Sequence, residues 1–297
     1  MTSFVTLEYQ LHSADPYNMY NIRSNDELKE CFDKDKLKGA VAISLGANYE
    51  DDCLPPRLKC PKLHLLWMWR KHSSLPDHFF EETKELRVLN LSYLFLKPFP
   101  SSLCFLQNLQ ALHLGFANLE DIDLIGELKK LKVLDLGGST LVRLAEQIGK
   151  SSCLQVLNLR NCRKLEVIPS NVISRLVNLE ELNMERSFKN WKVEGVVNDE
   201  ENNASLSEIK NLAKLTTLFL HIPEANMLPK DLFSTELKRF NITFGGCDDH
   251  FEGSRILKLK FKCNISSLLR ERGFKMLLKR SENLYIDGIK GLNNLVF

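Results

Sequence analysis

Hydrophobic positions recur along this chain in one short pattern. The stretch CLQVLNLRNCRKLEVIP, Cys153 to Pro169, places leucines at 154, 157 and 159 with a polar residue between the last two. The same arrangement begins at Leu63 (LHLLWM), Leu86 (LRVLNL), Leu109 (LQALHL), Leu131 (LKVLDL), Leu179 (LEELNM), Leu215 (LTTLFL) and Leu237 (LKRFNI), with an upstream form, AVAISL, at Ala40. Counting the copy at Leu154, successive starts lie 23, 23, 23, 22, 23, 25, 36 and 22 residues apart. Alternation at the centre of each copy predicts a short strand with its leucines turned inward and the intervening residues turned outward.

The segments between copies also resemble one another: SLPDHFFEETKE, PFPSSLCFLQN, RLAEQIGKSSC, VIPSNVISRLVN and MLPKDLFSTE. Several carry Leu or Ile, then Pro, then an apolar residue about four positions on. Pro fixes φ and lacks an N–H, which suits the turn into a short helical return. A period in the twenties carrying LxxLxL is the signature of a leucine-rich repeat. The predicted fold class is therefore α/β, a leucine-rich-repeat solenoid: a curved horseshoe with a parallel concave β-sheet and short helical or irregular convex segments. One unit cannot bury its own apolar face. Stacked, each buried leucine contributes about 1.5–3 kcal/mol.

The register divides the chain. Residues 1–39 read as an N-terminal segment and cap, 40–253 as leucine-rich repeats with an insertion at 188–207, and 254–297 as irregular, truncated C-terminal repeats. The insertion is acidic and Asn-rich in its second half and is expected to loop out. LNNLVF, residues 292 to 297, forms the motif once more and then stops. An open solenoid end exposes its core, so the chain is expected to be cut in mid-array.

The intervening residues stack into columns on the concave face. One runs Ser44, Trp67, Asn90, His113, Asp135, Asn158, Asn183, Phe219 and Asn241; a second includes Leu65 and Arg239; a third includes Trp69, Arg160, Glu185 and His221. Leu65, Trp67 and Trp69 are expected side by side on the surface, with Tyr93 and Phe116 nearby on the following repeats. Trp and Tyr offer large apolar area at little entropic cost, as binding anchors do. The alternative is that they pack beneath the N-terminal 40 residues. The candidate protein-binding set is thus Leu65, Trp67, Trp69, Asn90, Tyr93, His113, Phe116, Asp135, Asn158, Arg160, Asn183, Glu185, Phe219, His221, Arg239 and Asn241.

Composition narrows the classes. A net charge of +2 from 40 basic and 38 acidic residues sets up no strong field for nucleic acid or a membrane surface. The longest apolar run, Leu63 to Trp69, is far short of the roughly 20 residues a membrane span needs. The first residues lack the basic and apolar regions of a secretory signal. Eight cysteines contain no CxxC pair, as in a reduced, cytoplasmic protein. Sequons at Asn90, Asn203, Asn241 and Asn264 are read as chance triplets. Cys60, His64, His72 and His78 match no zinc spacing. No GxxxxGK[ST], GxGxxG, HExxH or GxSxG occurs, so no catalytic residue, metal ligand or cofactor-binding residue is expected.

Five segments carry a family resemblance: DELKECFDKDKLKGAVAISL (26–45), LPPRLKCPKLHLL (54–66), LPDHFFEETKELRVLNLS (75–92), LIGELKKLKVLDLGGS (124–139) and LEVIPSNVISRLVNLEELNM (165–184). The long unit at 191–232 matches as well. The chain resembles the leucine-rich-repeat region of plant intracellular immune receptors of the coiled-coil, nucleotide-binding type. The resemblance implies a non-enzymatic sensor that recognises a pathogen effector or a guarded host protein. It also implies a region that restrains a nucleotide-binding domain of the receptor. ADP and ATP belong to that domain, whose motifs are missing from these residues, so none is expected here. Two other readings are an extracellular leucine-rich-repeat receptor or inhibitor, and an adaptor such as a ubiquitin-ligase substrate receptor. The first is opposed by the absence of a signal and of paired capping cysteines; the second lacks a visible docking motif in residues 1 to 39.

Overall fold

The computed structural model describes residues 18–33, 36–46, 54–69, 75–193, 202–233, 236–246, 253–260 and 268–287. His72, the centre of the insertion, the sequon at Asn264 and the last motif at 292–297 fall outside them. The chain forms two compact units: Met1–Leu141 with Ala145–Leu154, and Val142–Leu144 with Gln155–Phe297.

In the first unit the motif copies are strands of a parallel sheet: β1 (Met19–Ile22), β2 (Ala42–Leu45), β3 (Leu65–Met68), β4 (Val88–Asn90), β6 (Ala111–His113) and β8 (Val133–Asp135). Register is constant from strand to strand. Ile43 faces Leu66, Leu66 faces Leu89, Leu89 faces Leu112 and Leu112 faces Leu134. This row is sealed from solvent, as the inward positions require. The series starts upstream of the first recognisable copy, because the leucine-poor MYNI of β1 pairs in parallel with β2. Two-residue strands β5 (Phe95–Leu96) and β7 (Asn118–Leu119) form a second, smaller ladder.

The second unit repeats the arrangement with β9 (Val156–Asn158), β10 (Glu181–Asn183), β11 (Thr217–Ile222), β12 (Arg239–Gly245), β13 (Arg255–Lys260) and β14 (Asn283–Asp287). Leu157, Leu182, Leu218 and Phe240 continue in register. The described residues beyond Ser254 therefore contribute two more strands to the series. A full α-helix, Arg272–Arg280, connects them, and its Phe274 meets Phe244 edge to face at 5.5 Å.

Return segments are short 3-10 turns such as Ser101–Phe105, Asp123–Glu127, Glu146–Lys150 and Leu206–Asn211. Pro100 precedes the first with φ −64°, and Ala145 adopts the same φ where the repeat has no Pro. Successive turns pack closely: a Cβ on Gly126 would lie 2.4 Å from Cβ of Gln147. Carboxylates bind one return to the next. Asp77 accepts hydrogen bonds from the Ser101 backbone N–H and hydroxyl, both at 2.7 Å. Those bonds hold the Asp77 carboxyl below its ordinary value, the hydroxyl contributing most. Buried Glu208 accepts the N–H groups of Asn171 and Ser174 at 2.8 and 3.2 Å.

The described flanks of the insertion pack back rather than looping out. Phe188 and Trp191 are buried and meet edge to face at 4.9 Å. Asn203 is buried and its Oδ1 accepts the Ile168 N–H at 3.1 Å.

Candidate functional site

The site grows from the turn that ends each strand. In four repeats the outward Asn or Asp of the strand folds its side chain back and accepts the N–H two residues on. Ser92 donates to Asn90, Gly137 to Asp135, Arg160 to Asn158 and Glu185 to Asn183, at 2.9 to 3.1 Å. These are Asx turns, the local bond that favours Asn and Asp at such positions. Each of the four carboxamides or carboxylates spends an acceptor on its own turn.

The next residue enters the left-handed region. Tyr93, Phe116, Gly138, Asn161 and Arg186 occupy equivalent positions with φ of 68°, 56°, 70°, 58° and 54°. Glycine and asparagine accept this conformation readily; Tyr, Phe and Arg carry it at about 1–2 kcal/mol each. The backbone is held by neighbouring repeats, Tyr93 donating its N–H to Gly115 O and Phe116 to Gly137 O.

That shared backbone sets the Tyr93 and Phe116 rings side by side. Tyr93 and Phe116 stack with centroids 5.0 Å apart and planes 5° from parallel, and Trp69 lies 6.2 Å from Tyr93. Trp69, Tyr93 and Phe116 are 58%, 40% and 56% exposed. A Cβ on Gly138 would lie 2.5 Å from Cε1 of Phe116, so the ring rests over that glycine. Exposed aromatic side chains of this kind are enriched among the anchors of protein interfaces.

The other expected residues divide. Leu65, His113, His221 and Asn241 are buried, which corrects the expectation that they present side chains to solvent. The physical reason is strand spacing: outward side chains of adjacent strands stand close enough to cover one another, and Val88, Ala111 and Val133 beside Leu65 are buried too. His221 bonds through Nε2 to the Gly245 carbonyl, and His113 Nδ1 lies 3.8 Å from Asp135 Oδ2. Trp67 is half-buried, so the pair Trp67–Trp69 gives way to Trp69–Tyr93–Phe116 as the exposed group. In the second unit Arg160 Nε pairs with Glu185 Oε2 at 3.1 Å, and the Arg239 guanidinium sits 5.8 Å from the Phe219 ring centroid.

Cys162, read as a buried thiol, is fully enclosed. Burial pushes the Cys60 thiol up to about 12 and the Cys31 thiol above its ordinary value. Burial, assisted by Arg87, lowers His64.

No protein-family model matches the chain. The leucine-rich-repeat ectodomain of the Arabidopsis thaliana receptor kinase GASSHO1/SCHENGEN3, solved with CASPARIAN STRIP INTEGRITY FACTOR 2, aligns with a TM-score of 0.52 at 17% identity. It covers 84% of this chain and 29% of its own. A leucine-rich-repeat protein of Leptospira interrogans aligns with a TM-score of 0.50 at 17% identity, covering 92% of this chain and 79% of its own. The chain is a leucine-rich-repeat solenoid. Its sequence is 31% identical over 177 residues to Disease resistance protein At4g27190 of Arabidopsis thaliana, which spans 58% of this chain. The match takes up only 18% of that relative's length. The solved structures show the fold, and the sequence likeness is to part of a plant disease resistance protein.

Proposed function

We propose that this leucine-rich-repeat chain is the non-enzymatic recognition region of a plant intracellular immune receptor. It acts in the cytoplasm, binding a pathogen effector or a guarded host protein and restraining the nucleotide-binding domain of a receptor. Nucleotide handling belongs to that domain, and the chain itself binds neither ADP nor ATP. The observation that carries the reading is the exposed ladder Trp69–Tyr93–Phe116. Among the other candidates, Arg160 and Glu185 add a charged pair, while Asn90, Asp135, Asn158 and Asn183 shape the turns beneath the binding surface. Among the described residues no helix is long and apolar enough to cross a membrane. The buried amides of Asn203 and Asn241 favour this reading over a glycosylated, extracellular one.

The test is a triple variant, Trp69→Ala, Tyr93→Ala and Phe116→Ala, compared with the parent chain for both thermal unfolding and partner binding. Lost binding with nearly unchanged unfolding supports the proposal. Unchanged binding overturns it, and so does micromolar ADP affinity in the purified chain.

A further inference from the structure

The turns that carry the aromatic ladder also gather oxygen atoms beside it. A Cβ on Gly115 would lie 3.4 Å from the Gly137 carbonyl oxygen, 3.6 Å from Ser92 Oγ and 3.8 Å from Asp135 Oδ2. Oxygens from the neighbouring repeats on both sides therefore converge at the residue before Phe116. Asp135 is held in place there, because its Oδ1 accepts the Gly137 N–H at 2.9 Å and buried His113 sets Nδ1 3.8 Å from Oδ2. Its side chain is still 21% exposed, within reach of a partner.

One turn brings ring and carboxylate together. Asp135 closes on Gly137, and Phe116 rests over Gly138, the next residue. The local charge has one sign. Along the outward positions of β3, β4, β6 and β8, and at the two residues after Met68, Leu91, Leu114 and Leu136, Asp135 is the one formally charged side chain among the described residues. All of these positions belong to the first unit. The exposed faces of Trp69, Tyr93 and Phe116 carry negative quadrupoles, so rings and carboxylate alike attract a cation.

From this, and resting on the reading of the ladder as the recognition surface, we propose that the protein partner presents an arginine here. Its guanidinium lies on the exposed Phe116 ring and turns its N–H groups toward the Asp135 carboxylate and the Ser92 hydroxyl. A guanidinium is planar and weakly hydrated, so it stacks on a ring and donates in its own plane at the same time. An ammonium is a strongly hydrated point charge and does one of these less well. A carboxylate or phosphate of the partner would meet like charge and no donor cation among the described residues of this surface.

The experiment is an NMR titration of the full chain with acetyl-Gly-Arg-Gly-amide, and with the same peptide carrying citrulline, the neutral isostere of arginine. Saturable shifts at the Gly115, Phe116, Gly137 and Gly138 amides are expected from the arginine peptide. Citrulline should bind at least about threefold more weakly, as loss of a cation–π contact and an exposed ion pair predicts. Asp135→Asn should remove most of that preference with little change in thermal stability, because Asn90, Asn158 and Asn183 close the equivalent turns. No saturable shift, equal binding of the two peptides, or an unchanged preference in the Asp135→Asn chain would overturn the proposal. So would arginine binding that emerges only after Arg70 and Lys71 are both changed to Gln, since the ladder would then serve the chain's own cations. A protein partner that needs the three rings but binds parent and Asp135→Asn chains equally would overturn this proposal and leave the recognition reading standing.

Discussion

Tyr93 and Phe116, 23 positions apart in sequence and one repeat apart in the fold, stack in parallel at 5.0 Å while remaining about half exposed. Both reach this geometry from a left-handed backbone that glycine would adopt without cost. Replacing Tyr93 with Gly removes about 1–2 kcal/mol of backbone strain and a ring pair worth about 0.5–1.5 kcal/mol. The two effects offset, so chemical denaturation should find stability within about 1 kcal/mol of the parent. A loss of several kcal/mol would mean that the ring belongs to the core.

Gly138 should tolerate change far less. Its φ of 70° disfavours any Cβ, and a Cβ there would meet the Phe116 ring. Gly138→Ala should cost about 1–3 kcal/mol in unfolding free energy and displace Phe116 from its stack with Tyr93. Near-ultraviolet circular dichroism would report the displaced rings; an unchanged spectrum and stability would contradict the packing described.

The Asx turns yield a chemical distinction. Asn158→Ala should cost about 1 kcal/mol through the lost bond to the Arg160 N–H. Asn158→Asp should restore most of it, because Asp135 serves the same role one repeat earlier. Equal stabilities for the two variants, measured in urea, would show that the side chain does not close the turn.

Repeat periodicity made the interior of this fold legible, while the surface was only partly so. Leu66, Leu89, Leu112, Leu134, Leu157, Leu182 and Leu218 fell where the spacing put them because inward positions must be apolar in every unit. β1 was missed because Met19–Ile22 carries no leucine, although it pairs like the other strands. Alternation placed Leu65, His113, His221 and Asn241 outward, but could not reveal that neighbouring strands cover an outward side chain. The aromatic group was foreseen in outline, with Trp67 in place of a continuous ladder. The signal that could have located the ladder was present: Gly138 and Asn161 mark a left-handed position, and Phe116 and Tyr93 occupy it one and two repeats upstream of Gly138.

Asp77 makes stability depend on acid. Its folded-state carboxyl titrates below its unfolded value because Ser101 donates to the charged form. The stabilisation is therefore complete above the unfolded carboxylate range near pH 4 and is lost as pH falls through the lower folded value. Asp77→Asn should flatten that part of the pH–stability curve. A variant curve parallel to the parent below about pH 4 would contradict the assignment.

The most direct test of recognition places a photo-crosslinking phenylalanine analogue at Phe116, and separately at Phe105, which is also exposed but lies on a return turn. In extracts of the tissue that expresses the chain, position 116 should give a discrete protein adduct that is lost when Trp69 and Tyr93 are both alanine, and position 105 should give none. No adduct at 116, or the same adducts from both positions, would contradict the claim that the ladder is where this protein meets its partner.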